Sequence, residues 1–326
     1  MNLILKNYRR EAVLFVFLLA ALLVVGIISP SFISLKTLDA IWHDSVLLLI
    51  LALVQMPIII SRGIDLSVAA NLALTGMLVA LLSKSNPSLP VLVLLLAGIG
   101  IGAILGAINA LLITVLELPP IVATLGTMSV YRGMTYVVSG GQWVNSQDFP
   151  AALLEFPNAR LLGLTSLEWL SLLALFLAWL MWHQSRFGRE IRALGNNPSA
   201  ARYVGVLEQP RLALLYTIAG AVSGFVSVLW VARYAIASTE LAIGFELQVV
   251  AACVLGGVSI AGGVGTVYGT ALGSLFLVLL YNALPVIKIS PFWQTAIVGV
   301  AILVAVIVNQ SAGKRIGKKI LREVSP

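Results

Sequence analysis

Charged side chains crowd one short internal stretch, among them Arg186, Arg189, Glu190, Arg192, Arg202 and Arg211. The chain is 60% hydrophobic and only 10% charged, so residues 187–206 cannot lie in hydrocarbon and must be solvated or docked on another protein. Two readings stand side by side. The segment is either a solvated loop whose basic residues set orientation, or a docking element for a cytosolic partner. Its local chemistry predicts a short helix: Asn197 caps it, Pro198 suits its first position, Ala200 and Arg202 extend it, and Gly205 ends it.

The remaining reactive residue types support neither covalent nor metal chemistry. Cys253 is the sole cysteine and sits in an apolar run, while His43 and His183 are far apart and have no neighbouring ligand set. No metal or bound cofactor is expected. A phosphate-cradling GxxxxGK[ST] loop is also absent, because Gly313-Lys314 is followed by Arg315 and Gly317-Lys318 by Lys319. The chain is therefore not expected to be an enzyme or to hydrolyse ATP by that route. Asp65, Glu117 and Arg132 are nearly the only charges close to the apolar segments, too few for a clear proton relay. The net charge of +7 comes without a basic stripe interleaved with aromatics, so no nucleic-acid partner is expected.

The elements that position these residues follow from hydropathy. A mean hydropathy of +1.04 over 326 residues predicts an all-α, polytopic transmembrane protein, one domain over 1–326. A spanning helix needs about 20 apolar residues. The apolar runs predict about ten: 12–28, 45–60, a third to about 82, 91–115, 119–133, 167–183 and 212–231. An eighth begins at 247 and is broken into two helical pieces, a ninth ends near 284, and a tenth covers 292–308. With the amino terminus inside, the outer side holds only Lys36, Lys84, Arg160, Arg233 and Lys288, leaving Arg132 unassigned. Every other Lys and Arg falls inside, which predicts an even number of crossings and two cytoplasmic termini.

Irregularities sit inside this pattern. Gly63 and Asp65 mark a break after the second span, with Asp65 or Ser67 as the cap of the next helix. Gly256, Gly257, Gly262 and Gly263 break the eighth. The two breaks relate the halves of the chain as a weak internal repeat, a transporter pattern. Gly98, Gly102 and Gly106 form a stripe that lets helices approach closely. Asn109 is expected to face other helices, and Thr124, Thr127 and Ser129 form a hydroxyl-bearing surface whose members also have their own backbone at i−4 as a partner. Trp179 and Trp182 end the sixth span and suit an interfacial belt. Residues 139–165 are too polar to span and too long for a simple turn.

Four motifs carry a resemblance: GIDLSV at 63–68, PPIVATLGT at 119–127, RALGNNPSAARYVGV at 192–206 and AACVLGGVSIAGGVGTVYGTALG at 251–273. In order and spacing they resemble the membrane permease of bacterial ABC importers for simple sugars, of the ribose, arabinose, xylose and rhamnose type. Gly140-Gly141-Gln142-Trp143 leans toward the rhamnose or autoinducer-2 group. The resemblance implies an inner-membrane permease, moving a monosaccharide or sugar-like solute inward. Its expected partners are a cytosolic ATPase that holds ATP and Mg, a periplasmic sugar-binding protein, and a second permease copy or paralogue. It further implies that 187–206 couples to the ATPase through Arg192, Ala193, Gly195, Asn196, Pro198, Ala200, Arg202 and Gly205. Two departures stand out, since Arg62 and Ala69 occupy positions where the family usually has glycine. Permeases for branched amino acids share a similar loop but usually lack a GIDLSV-like break. A sugar path calls for hydroxyls and amides, and Asn71, Thr75, Asn109, Thr124 and Thr127 are the candidates. The alternatives are an importer permease for another small polar solute, such as autoinducer-2 or branched amino acids, and a secondary sugar carrier acting alone.

Overall fold

Apolar runs punctuated by Pro, Gly, Asn and Ser fold into antiparallel helices in the computed structural model, which describes residues 9–290 and scattered positions between 293 and 303. The first half holds α1 (Arg9–Ile28), α2 (Leu35–Ile60), α3 (Val68–Ser85), α4 (Val91–Thr114) and α5 (Pro120–Ser139). A long connection follows with β1 (Val144–Asn145), α6 (Ala151–Glu155), β2 (Arg160–Leu161) and β3 (Leu164–Thr165). Then come α7 (Ser166–Trp179), a π-helical turn (Leu180–Gln184), α8 (Arg186–Asn196), α9 (Pro198–Tyr203) and α10 (Glu208–Tyr234). The chain continues through β4 (Ile236–Ala237), α11 (Phe245–Leu255) and α12 (Val267–Val286).

Seven of these elements are long and apolar enough to cross a membrane: α1, α2, α3, α4, α7 with its π turn, α10 and α12. The helix α5 has the length, at 20 residues, but is more polar, and α11 has only 11 residues before the chain becomes irregular over 256–266. The expected tenth span lies outside the described residues. One expectation is corrected. The second piece of the broken eighth span and the ninth helix are a single element, α12, because the helix runs unbroken from Val267 to Val286 with Gly269 and Gly273 inside it. Both face Gly256 across the contact with α11, where a Cβ would collide with backbone, so they serve close packing.

The helix α2 forms the axis of the fold, buried at every position from Ser45 to Ile60. It packs against α7, α8, α10, α11 and α12. At the rim, α1 exposes Val16, Phe17, Leu23 and Ile27, the surface expected of a lipid-facing helix, and Thr266 Oγ1 donates to Glu11 Oε1 at 2.8 Å to tie it to α12. The predicted glycine stripe of α4 meets a reciprocal pair on α10, Gly220 and Gly224. A Cβ at Gly102 would lie 2.7 Å from both the N and the Cα of Gly224, so the two backbones touch.

The polar connection over 139–165 folds as a cap at one end of the bundle. Its strand β1 pairs antiparallel with β4, Val144 opposite Ala237, and β2 pairs with β3 as a hairpin. Its own Phe149 and Leu153 are buried, and Lys84 at the end of α3 meets Asp148 at 3.2 Å. The other end carries α8 and α9. There Trp182 is only 1% exposed and does not belong to an interfacial belt, because it forms the floor under α8. The guanidinium of Arg192 sits 5.1 Å from its ring centroid, a cation–π contact.

Candidate functional site

The corner made by α8 and α9 is anchored residue by residue. Ser185 caps α8 by accepting from the Gly188 amide at 3.0 Å, and Ile191 and Leu194 plug its inner face into the core. Glu190 is nearly buried between two guanidiniums, Arg186 at 2.7 Å and Arg211. Burial alone would raise its carboxyl, but hydrogen bonds from Arg186 and Arg211 outweigh it and hold the group below the usual carboxylate range. The folded-state value is depressed, so this contribution is complete above the unfolded carboxylate pKa of about 4.3 and is lost only as pH falls below it. Glu190→Gln is therefore expected to lower the thermal midpoint in detergent by several degrees at pH 7. The gap between variant and parent should narrow as pH falls through 4, which melts at both pH values check.

Beyond α8 the chain turns into α9. Asn197 Oδ1 accepts from the Ala200 amide at 3.1 Å, Pro198 opens the helix, and Gly205 closes it with φ of 83°. Arg202 pairs with Glu208 at 3.1 Å, and Arg189 donates to the Gln184 carbonyl at 3.2 Å. Most charges that mark this stretch in the sequence are thus engaged within the chain. The tip of the corner also presents apolar side chains outward: Tyr203 is 92% exposed, Val204 79% and Leu207 68%, beside the largely exposed Arg186 and Arg202. Ala200 and Asn196 are also exposed, Ala193 and Pro198 half-buried, and Gly195 buried. A reading led by charge misses this tip. Its signal was the YVGV stretch, two bulky apolar residues beside a glycine in an otherwise polar segment.

Both helix breaks meet under the same corner. The Gly263 amide donates to the Ile60 carbonyl at 2.9 Å, joining the end of α2 to the loop between α11 and α12. Gly195 packs on that same carbonyl, and a Cβ there would overlap it. Gly257, Gly262 and Gly263 all carry positive φ, and Gly256 ends α11. Gly63 lies against the Tyr216 hydroxyl of α10.

From the first break a buried polar ladder runs between α3, α4 and α5. Asp65 Oδ1 accepts from the Ser67 amide at 2.8 Å and its hydroxyl at 2.7 Å. Ser67 occupies the cap position of α3 with no side-chain cap bond, because its hydroxyl is turned to Asp65. Asn109 Nδ2 donates to Ser67 Oγ at 2.7 Å, and Thr127 donates to Asn109 Oδ1 at 2.6 Å. Thr124 donates to the Ile64 carbonyl at 3.0 Å, besides its own backbone at i−4. Higher up, Thr75 donates to Asn71 Oδ1 at 3.1 Å and Asn71 to the Gly102 carbonyl at 3.2 Å. All five path candidates are buried, joined in these two groups.

Two cavities open elsewhere. One of about 480 Å³ lies beside the corner, lined among others by Arg62, Glu117, Arg202 and Glu208. The other, about 220 Å³, lies at the capped end between Asp39, His43, Asp44 and Arg160. Along α5, the residues Gly126, Ser129, Gly133 and Tyr136 are exposed, and no heavy atom would meet a Cβ at Gly126 or Gly133. Arg132 does not face lipid; it donates to the Ala242 carbonyl at 3.0 Å and lies 3.8 Å from Glu246. Among the described residues no cluster of His, Cys, Asp and Glu could hold a metal ion.

Comparison with known proteins places this geometry. The model for the permease component of branched-chain amino acid transport systems matches residues 37–306. The autoinducer 2 import system permease protein LsrC of Salmonella typhi is 31% identical over 295 residues, 90% of this chain and 84% of that protein. LsrC of Enterobacter sp. (strain 638) is 34% identical over 304 residues, 93% of this chain and 87% of that protein. No solved structure matches the chain. A family match over most of the sequence, on helices that suit a bilayer, means that this integral membrane protein belongs to the family of transport-system permease components.

Proposed function

We propose that the protein is the permease subunit of an ATP-driven importer that moves a sugar-like small molecule into the cytoplasm across the bacterial inner membrane. The observation that carries this reading is the rigidly anchored corner with an apolar tip, on a chain that has no nucleotide loop. Tyr203, Val204 and Leu207 are the knob that a groove on a separate cytosolic ATPase receives. Arg192, Ala193, Gly195, Asn196, Pro198, Ala200, Arg202 and Gly205 shape and hold it. This sets the corner and both termini in the cytoplasm and the 139–165 cap toward a periplasmic binding protein. ATP and Mg belong to the ATPase.

The solute path is assigned to the exposed face of α5, shared with a second permease copy or paralogue. Gly126, Ser129, Gly133 and Tyr136 are too small or polar to be optimal against lipid, and the ladder of Asn109, Thr124 and Thr127 stands behind them, continued by Asn71 and Thr75. Amides and hydroxyls suit a polyol. A free amino acid carries a carboxylate and an ammonium, each needing a charged partner when desolvated, and the ladder offers only Asp65. The autoinducer-2 permeases among the relatives point the same way.

Reconstitution in vesicles tests this. With its ATPase and binding protein, the permease should take up a labelled furanosyl sugar-like solute such as autoinducer-2, or a monosaccharide, only when ATP is supplied. Counterflow by the chain alone would support a secondary carrier, and uptake confined to leucine would overturn the sugar assignment.

A further inference from the structure

Arg62 stands where the resemblance leads one to expect glycine, and its backbone keeps the conformation glycine favours, with φ of 68°. A long β-carbon side chain in that region is retained against its intrinsic preference, and its guanidinium shows what it does there. Its Nε donates to the Gly195 carbonyl at 2.9 Å and a terminal nitrogen donates to the Asn196 carbonyl at 3.0 Å. These are the last two residues of α8, whose carbonyls have no partner within the helix. Arg62 is thus a C-terminal cap supplied from a different part of the chain, with its positive charge at the negative end of the helix dipole. Its stem is held from the other side, because Gly262 packs so closely that a Cβ there would lie 2.5 Å from Arg62 Cγ.

The position of this clamp decides what it connects. On one side is the α8–α9 corner with its exposed tip. On the other, Asp65 lies three residues along the chain and opens the ladder to Asn109 and Thr127, while the neighbouring Ile64 carbonyl holds Thr124 of α5. We propose that Arg62 is a positioning residue for transport, a clamp that transmits displacement of the α8–α9 corner into the α2–α3 break and from there to α5. Glycine at this position would remove the hydrogen bonds from the α2–α3 break to the corner and leave packing, such as Gly195 on the Ile60 carbonyl, which carries push but little pull. The guanidinium fork carries both. This inference rests on the reading of the corner as the ATPase-docking element.

The test uses the reconstituted permease with its ATPase and binding protein, and reads solute imported per ATP hydrolysed. Arg62→Gly removes the fork while relieving the backbone, so its thermal midpoint should equal or exceed that of the parent, and its transport ratio should fall at least fivefold. Arg62→Lys, which keeps the charge but not the fork, should recover part of the ratio. A parent ratio in Arg62→Gly overturns the proposal. Should that variant fail to accumulate, Arg62→Gln, which keeps the stem without the charge, must show the lowered ratio, and a parent value there overturns it equally. Tyr203→Asp in the same vesicles separates the two ideas. If it uncouples while Arg62→Gly does not, the clamp alone is wrong; if it has no effect, the docking reading falls and the clamp with it.

Discussion

Replacing Tyr203 and Val204 together by aspartate is expected to abolish ATP-dependent uptake while the protein still inserts and folds. Both side chains point away from their own fold, at 92% and 79% exposure, so their removal takes nothing from the packing of α8 or α9. Seating two such side chains in a partner groove contributes about 1.5–3 kcal/mol each, and aspartate would add a desolvated, unpaired carboxylate at each place. A loss of at least 3 kcal/mol corresponds to roughly two orders of magnitude in affinity for the ATPase. Pull-down of the ATPase with the purified permease checks the affinity, and vesicle uptake checks the consequence. An unchanged melt with lost association is the expected pair of results. Retained association would move the docking surface elsewhere. Charge reversal at Arg192 and Arg202, the change that the basic cluster suggests first, mixes two effects. Arg192 rests on Trp182 and Arg202 pairs with Glu208, so reversal disturbs the corner itself as well as any contact it makes.

The second large effect concerns the fold. Gly102→Val should prevent the protein from accumulating, whereas Gly100→Val, two residues away on the same helix, should be nearly silent. A Cβ at Gly102 meets the Gly220 carbonyl and the backbone of Gly224, none of which can move as a side-chain rotamer does. Overpacking a flexible core site costs about 1–3 kcal/mol, and a backbone-on-backbone contact lies at or above the top of that range. Gly100 faces open space, with no heavy atom within 4 Å of where a Cβ would lie. Membrane-fraction yield and the detergent melting midpoint, measured on both variants, distinguish a requirement for close approach from a general intolerance of β-branched residues in α4. Equal losses in the two would remove the crossing of α4 and α10 as the explanation.

Much of this molecule is written locally. Hydropathy located the spans, because a bilayer demands a long apolar run wherever a helix crosses and few other constraints compete. The short α9 was legible for the same kind of reason: Asn197, Pro198 and Gly205 act on their own backbone, and they sit in the structure at cap, first position and terminus. The glycine stripe of α4 was also visible, but not its partner on α10, since a stripe states that something approaches and not what. The division of the last described helices was not legible, since α12 runs unbroken from Val267 to Val286 where the sequence suggested the end of one span and the start of another.

Tertiary structure alone decided which charges are free and which residues meet. By composition the α8–α9 segment is a basic patch; by structure its guanidiniums are held by Glu190, Glu208, Trp182 and backbone carbonyls, and apolar Tyr203, Val204 and Leu207 stand exposed beside them. Long side chains choose partners by reach across elements, over sequence separations that no local pattern encodes. Arg62 and the Gly195 carbonyl are 133 residues apart, and Gly263 reaches back to Ile60. The sequence by itself therefore determined where the long apolar helices lie and where the chain bends between them. The fold determined that both bends and the α8–α9 corner share one junction, because only close packing of α2, α8 and the α11–α12 loop brings their unpaired backbone groups within hydrogen-bonding distance.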